Sequence, residues 1–376
     1  MAQPQKRRRD PRLDFFRGMA MLIIFIAHVP NNFWKGYIPA RFGWSDATEM
    51  FVFCSGYAAA IAFGGTFVRA GFWVGTARVI YRVWQIYAAH IAMFFFIAAI
   101  AVIATRVTDG FNYIARLNLN RFFSLTADAM VGMFTLTYVP NYFDILPMYI
   151  VALVLIPPLM LIAKFSPPFA LATSVAIYVA SWVYDFNLPA EPWSERGWFF
   201  NPFCWQLLFF TGYGLSIGWI KAPPARIDLI ALALLIVVFA LVTSYRPIWR
   251  GVEDLEAIRD VIGPYRRKTF FGPLRWIHIL ALAYLASVIF ANRQHLLTTR
   301  WTAPIVKVGQ QALPAFLFSM GASYVAGITL DQIGRNNGTI AAVNLTGLLM
   351  IIVLAYVTAW YKSEPWRSNR PAAQAA

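Results

Sequence analysis

Leu13-Asp14-Phe15-Phe16-Arg17-Gly18-Met19-Ala20-Met21-Leu22-Ile23-Ile24-Phe25-Ile26-Ala27-His28 is apolar without interruption from Gly18 to Ala27. A basic run, Lys6-Arg7-Arg8-Arg9, stands before it, as it would before a secretory signal. No small-residue cleavage pattern follows, because the run ends in His28-Val29-Pro30-Asn31-Asn32. The stretch therefore reads as an uncleaved first transmembrane helix.

The rest of the chain repeats the pattern. Of its 376 residues 59% are hydrophobic, 17% aromatic and 13% charged, and the mean hydropathy is +0.57. A soluble domain carries roughly twice that charged fraction, and a disordered chain needs low hydrophobicity, so both classes are excluded. Apolar stretches of about 20 residues are helices rather than the shorter alternating strands of an outer-membrane barrel. Ten such spans are predicted: 13–29, 45–63, 79–104, 145–163, 168–184, 202–220, 227–243, 276–291, 305–329 and 339–361. The segment 122–138 is apolar but holds Asp128 and several Thr and Gly, which suits a half-helix or an interfacial helix. The fold class is thus an all-α polytopic membrane protein. A basic tail (1–12) precedes the membrane domain (13–361), and a second tail (362–376) follows it.

The formal net charge of +15 reports orientation rather than nucleic acid, because Lys and Arg are enriched on the cytoplasmic side. With the N-terminus inside, the inner segments hold 18 of the 32 basic residues and only four acids, Asp10, Asp14, Asp228 and Glu364. Both termini are therefore expected in the cytoplasm. The long stretches 105–144, 185–201 and 244–275 then lie outside, where functional loops belong. The last contains Glu253, Asp254, Glu256, Asp260 and the run Arg266-Arg267-Lys268. Cys54 and Cys204, both inside apolar segments, suggest neither a disulfide framework nor a zinc site.

Ionisable groups inside spans default to functional candidates. Arg17 and His28 are eleven residues apart on the first helix, three turns plus about 20°, so they share a face about 16 Å apart along the axis. Taken alone, Arg17 could snorkel and His28 cap a helix end. The second helix begins Trp44-Ser45-Asp46-Ala47-Thr48-Glu49. Ser45 suits an N-cap and Asp46 the first turn, whereas Glu49 lies a turn deeper than capping accounts for. Glu49 is expected at the depth of His28, where a carboxylate would fix the imidazole tautomer and raise its basicity. Gly56, Ala60 and Gly64 recur every fourth residue, for close helix packing or, less commonly, room for a narrow ligand. Arg78 and Arg82, one turn apart, would join Arg17 at a cytoplasmic mouth suited to phosphates. His278 near the outer end of the eighth span rivals His28; His90 is mid-membrane and His295 lies in an inner basic loop.

The Arg17-to-His28 spacing resembles the integral-membrane acyltransferase-three superfamily. So do the run Glu49-Met50-Phe51-Val52-Phe53-Cys54-Ser55-Gly56-Tyr57 and the pair Arg78 and Arg82. That superfamily follows its arginines with Pro-x-Tyr, where this chain has Gln85-Ile86-Tyr87. More narrowly, Leu13 to Gly18, Phe42-Gly43-Trp44-Ser45-Asp46-Ala47 and Asp144-Ile145-Leu146-Pro147-Met148-Tyr149 are similar to the OpgC branch, which O-succinylates osmoregulated periplasmic glucans. The resemblance implies an acyl-CoA donor, succinyl-CoA above all, supplied from the cytoplasm, and a periplasmic glucan or related glycan as acceptor. Arg17, Arg78 and Arg82 would hold the coenzyme phosphates. His28, oriented by Glu49 or Asp46, would take the proton of the sugar hydroxyl as it attacks the thioester. Ser55, Tyr57 and Asp144 fall to the substrate, with Arg275 and His278 for a succinyl carboxylate; the run Arg266-Arg267-Lys268 is a further candidate. These basics could instead balance the acids of their own loop, and Ser55 or Cys54 could carry the acyl group in transit. No metal and no nucleic acid are expected; the partners are the glycan, the bilayer and, in a homodimer, a second copy. The competing class is a secondary transporter or exporter, disfavoured because no paired repeats or matched broken helices are seen.

Overall fold

A computed structural model describes residues 10–367. The basic run Lys6 to Arg9 and the end of the C-terminal tail lie outside the described residues. The described chain is helical, and six helices are long and apolar enough to cross a membrane. Its described residues divide into two compact units, one of residues 10–35 and 289–367 and one of residues 36–288.

The first unit is built on Pro11–His28, Ala303–Gln310, Ala312–Ile333 and Asn337–Lys362. Asp10 caps the first of these by accepting from the Arg12 backbone N–H at 2.9 Å, and Pro11 fills the opening position where no N–H is needed. Gly18 and Gly309 make the crossing of Pro11–His28 with Ala303–Gln310. A Cβ at Gly309 would lie 1.7 Å from the Asp14 carbonyl oxygen, and one at Gly18 1.9 Å from that of Ile305. Only backbone fits there, and membrane helices, which gain nothing from excluding water, associate through such contacts. Asn32 and Asn344, both buried, exchange amide hydrogen bonds of 2.8 and 3.1 Å. The predicted span 305–329 is interrupted: Gln311 separates two helices, so the crossing segment is Ala312–Ile333.

In the second unit Ala47–Ala59 continues through a π-helical turn, Ala60–Gly64, into Gly65–Val107. The interval that reads as a loop between the second and third spans is therefore helical on both sides of a single break at Gly71, with φ 83° and ψ 176°. A side chain is strained at that φ, and glycine is not. The break reverses the chain. Arg78 donates to Thr66 Oγ1 at 2.6 Å, whereas twelve residues of straight helix would hold them about 18 Å apart. Gly56 packs against Pro202–Ile217, where its Cβ would meet the Phe209 carbonyl oxygen at 1.9 Å. The small-residue stripe thus serves close packing at this point.

Ile145–Val154 and Ile156–Ala163 meet at Leu155, just before Pro157, which has no N–H to continue the ladder. Pro167–Tyr184, Ile227–Ser244 and Pro273–Ile289 complete the apolar helices of this unit. The segment 122–138 contributes Thr126–Thr135, about 15 Å long and too short for a hydrocarbon core of about 30 Å. Between these helices the loop around Pro189 and Gly197 folds onto the 137–144 segment. Val139 donates to the Ala190 carbonyl at 2.8 Å, and Val139, Ala190 and Trp198 form a small core.

Candidate functional site

Four charged side chains of the second unit converge at the start of Ala47–Ala59. Asp46, not Ser45, is the N-cap, and its Oδ1 accepts from the Thr48 N–H at 2.7 Å. Glu49 reaches back and accepts from the Asp46 N–H at 2.8 Å, closing a capping box. The expectation that capping does not account for Glu49 is thereby corrected: the Asp-x-x-Glu spacing is itself the capping signature. Capping takes one oxygen only. Glu49 Oε1 lies 2.6 Å from Arg275 Nε and Nη2, and Glu49 is fully buried. Asp46 Oδ2 meets Lys268 Nζ at 2.6 Å and Arg275 at 3.6 Å.

Arg275 and Lys268 were expected to await a substrate carboxylate or to balance the acids of their own loop. The structure pairs them instead with Asp46 and Glu49. The acids and bases are 219 or more positions apart in the chain, so nothing local in the sequence signals the pairing. Lys268 is held from behind as well, where Trp205 Nε1 donates to its carbonyl at 3.0 Å.

The two rival histidines differ in tautomer. His28, at the end of its helix, has Nδ1 2.7 Å from the Ile24 carbonyl oxygen. A carbonyl only accepts, so Nδ1 carries the proton and Nε2 the lone pair. The ring is thus fixed by its own helix, and its tautomer needs neither Glu49 nor Asp46. His278 is the reverse. The Ser45 backbone N–H donates to its Nδ1 at 3.2 Å and Ser45 Oγ stands at 2.6 Å. The lone pair of His278 is consumed there, and in the neutral ring the proton sits on Nε2. Ser45, read as a cap, is the residue that orients His278.

Arg17 has its Nε buried without a hydrogen-bond partner among the described residues. Arg78 donates to Thr66, and Arg82 to Gln85 Oε1 at 3.1 Å; neither forms an ion pair among the described residues. Ser55 is buried and Tyr57 half-buried on Ala47–Ala59. Asp144 is buried at the head of Ile145–Val154, where Oδ1 accepts from the Phe199 N–H at 3.1 Å. Burial, only partly offset by that bond and by Arg196, pushes its carboxyl up to about 6. His90 is buried with neither ring nitrogen hydrogen-bonded among the described residues. Cys54 and Cys204 are buried and not joined in a disulfide, and Cys204 donates to Ser181 Oγ at 3.3 Å. No group of three or more His, Cys, Asp or Glu that could hold a metal occurs among the described residues.

No curated relative and no solved structure matches the chain. A family model does match, the one described as OpgC protein, over residues 9–363. That range takes in the Arg17–His28 helix, the capped acids with their basic partners and Asp144, so the likeness seen in three short motifs extends through nearly the whole sequence, and the chain belongs to the OpgC family.

Proposed function

We propose that this chain is a membrane O-acyltransferase. It moves an acyl group, succinyl in this reading, from a cytoplasmic acyl-CoA to a hydroxyl of a periplasmic glucan. Membership of the OpgC family implies acyltransferase activity in general, and the observation that carries the mechanism is the tautomer of His28. With Nδ1–H given to Ile24, Nε2 is the basic nitrogen. It takes the proton as the sugar oxygen attacks the thioester carbonyl. The carbon–sulfur bond then breaks, and the thiolate recovers that proton from His28. His278, whose lone pair already accepts from Ser45, is the weaker base candidate.

Arg17, Arg78 and Arg82 are assigned to the phosphates of the donor. The unpartnered Nε of Arg17 supports this, as does the neutral character of the Arg78 and Arg82 partners. Asp46 and Glu49 act by holding Lys268 and Arg275 in place. Ser55, Tyr57 and Asp144 remain assigned to the substrate, Asp144 as an acceptor for a sugar hydroxyl.

The reading includes ten crossings with both termini in the cytoplasm and 244–275 outside. Single cysteines at positions 250 and 370 test the orientation with an impermeant reagent in spheroplasts. Position 250 is expected to react and 370 to stay protected, and the opposite result inverts the scheme. The activity is tested with purified protein in proteoliposomes, given labelled succinyl-CoA and glucan. Label on the glucan is the expected result. Movement of intact solute without transfer would make the protein a transporter, and equal use of acetyl-CoA would remove the succinyl assignment alone.

A further inference from the structure

Lys268 and Arg275 are matched one for one by Asp46 and Glu49, yet two guanidiniums beside them are not. Arg259, on the helix Glu253–Ile262, and Arg266, in the turn after it, both reach the Thr243 carbonyl oxygen. Arg259 donates through Nη1, and Arg266 through Nη1 at 3.5 Å. Arg259 is fixed further by lying over the Trp249 ring at 3.5 Å. Neither has a carboxylate within ion-pairing distance among the described residues, although Glu256 and Asp260 stand near Arg259 on its own helix. Glu256 is engaged elsewhere, accepting from the Gly251 N–H at 2.9 Å.

Arg266 is the more exposed to repulsion. Its Nε is buried with no hydrogen-bond partner among the described residues, and the cations Arg259 and Arg275 stand near it. Bringing like charges together at a half-buried position is unfavourable unless an anion completes the group. The surplus is close to one positive charge, since Glu256 and Asp260 partly offset Arg259. That count fits a single carboxylate better than a dianionic phosphate, and a planar guanidinium edge matches a carboxylate.

We propose that Arg266, braced by Arg259 at the Thr243 carbonyl, is the specificity residue for a monoanionic carboxylate at the end of an acyl chain. The carboxylate belongs either to the donor or to the acylated glycan. The inference rests on the acyltransferase reading for the identity of that chain. It moves the recognition of the acyl terminus from Arg275, which Glu49 occupies, to the neighbouring cation that no acid occupies.

The test uses the full-length protein in nanodiscs and direct binding of two ligand pairs. One pair is a non-reactive succinyl thioether of coenzyme A and its butyryl counterpart; the other is succinylated and butyrylated glucan. The wild type is expected to favour the carboxylate-bearing member of one pair by about tenfold, the worth of a charged hydrogen bond. The pair that shows it identifies donor or product as the source. Arg266→Gln should remove the preference and Arg266→Lys should keep part of it, with affinity for the butyryl members unchanged in both. Absence of any preference in the wild type, or its survival in Arg266→Gln, overturns the proposal. A wild type that shows the preference but transfers no acyl group would instead remove the acyltransferase reading and leave this site standing.

Discussion

His28→Ala is expected to abolish acyl transfer while leaving expression and folding intact. A positioned general base contributes about 10²–10⁴ in rate, and neither of the two buried histidines offers the same nitrogen. His278 presents its lone pair to Ser45, and His90 is sealed in the interior with no exposed edge. The imidazole of His28 is half-buried at the end of its helix, with Nδ1 bonded to the carbonyl one turn behind it, so truncating it does not hollow out a fully buried position. The check is single-turnover transfer from labelled acyl-CoA, with the thermal transition of the variant in detergent as the folding control. Near-normal turnover in His28→Ala together with a dead His278→Ala would show that the base is the other histidine.

Arg275→Gln should lower stability by several kcal/mol. It leaves Glu49, which is 0% exposed, with only the Asp46 N–H as partner, and breaking a buried pair by removing one member costs about 3–5 kcal/mol. Lys268→Gln should cost less, because the Lys268–Asp46 pair is partly open, with side chains 29% and 14% exposed. The double variant Glu49→Gln/Arg275→Gln should recover much of the loss, since it removes the stranded charge along with its partner. Thermal unfolding of the three variants in one detergent measures this. If Arg275→Gln matches the wild type, Glu49 is not held by Arg275 in the membrane. The same series separates structure from chemistry. A Glu49→Gln variant that loses activity only in proportion to folded protein has a positioning role, not a place in proton transfer.

Much of the architecture was legible because its signals are local. A bilayer admits only segments that satisfy their own backbone, so the predicted segments from 13–29 to 339–361 fall on one helix or on two in succession, and six helices are long and apolar enough to cross. Asp46 and Glu49 are joined by the spacing of a capping box, a local signal that the reading of Glu49 as too deep for capping passed over. Boundaries were less legible where one residue decides them. Gly71 reverses a chain that otherwise reads as loop, and Gln311 splits a run that reads as continuous.

By itself, the amino-acid sequence determined that this is a helical membrane protein of the OpgC family, with a histidine near the end of its first helix. Those properties rest on apolar length and residue order, both written along one strand of chain. Only the tertiary structure decided which cation meets which acid. Arg266, Lys268 and Arg275 are alike in the sequence, and the two acids that could neutralise them arrive from a helix more than two hundred positions away. Packing assigns Glu49 to Arg275 and Asp46 to Lys268, and by doing so leaves Arg266 as the charge without an acid. Tautomer was equally a tertiary matter for His278, because its state follows from the Ser45 N–H brought against it by another helix.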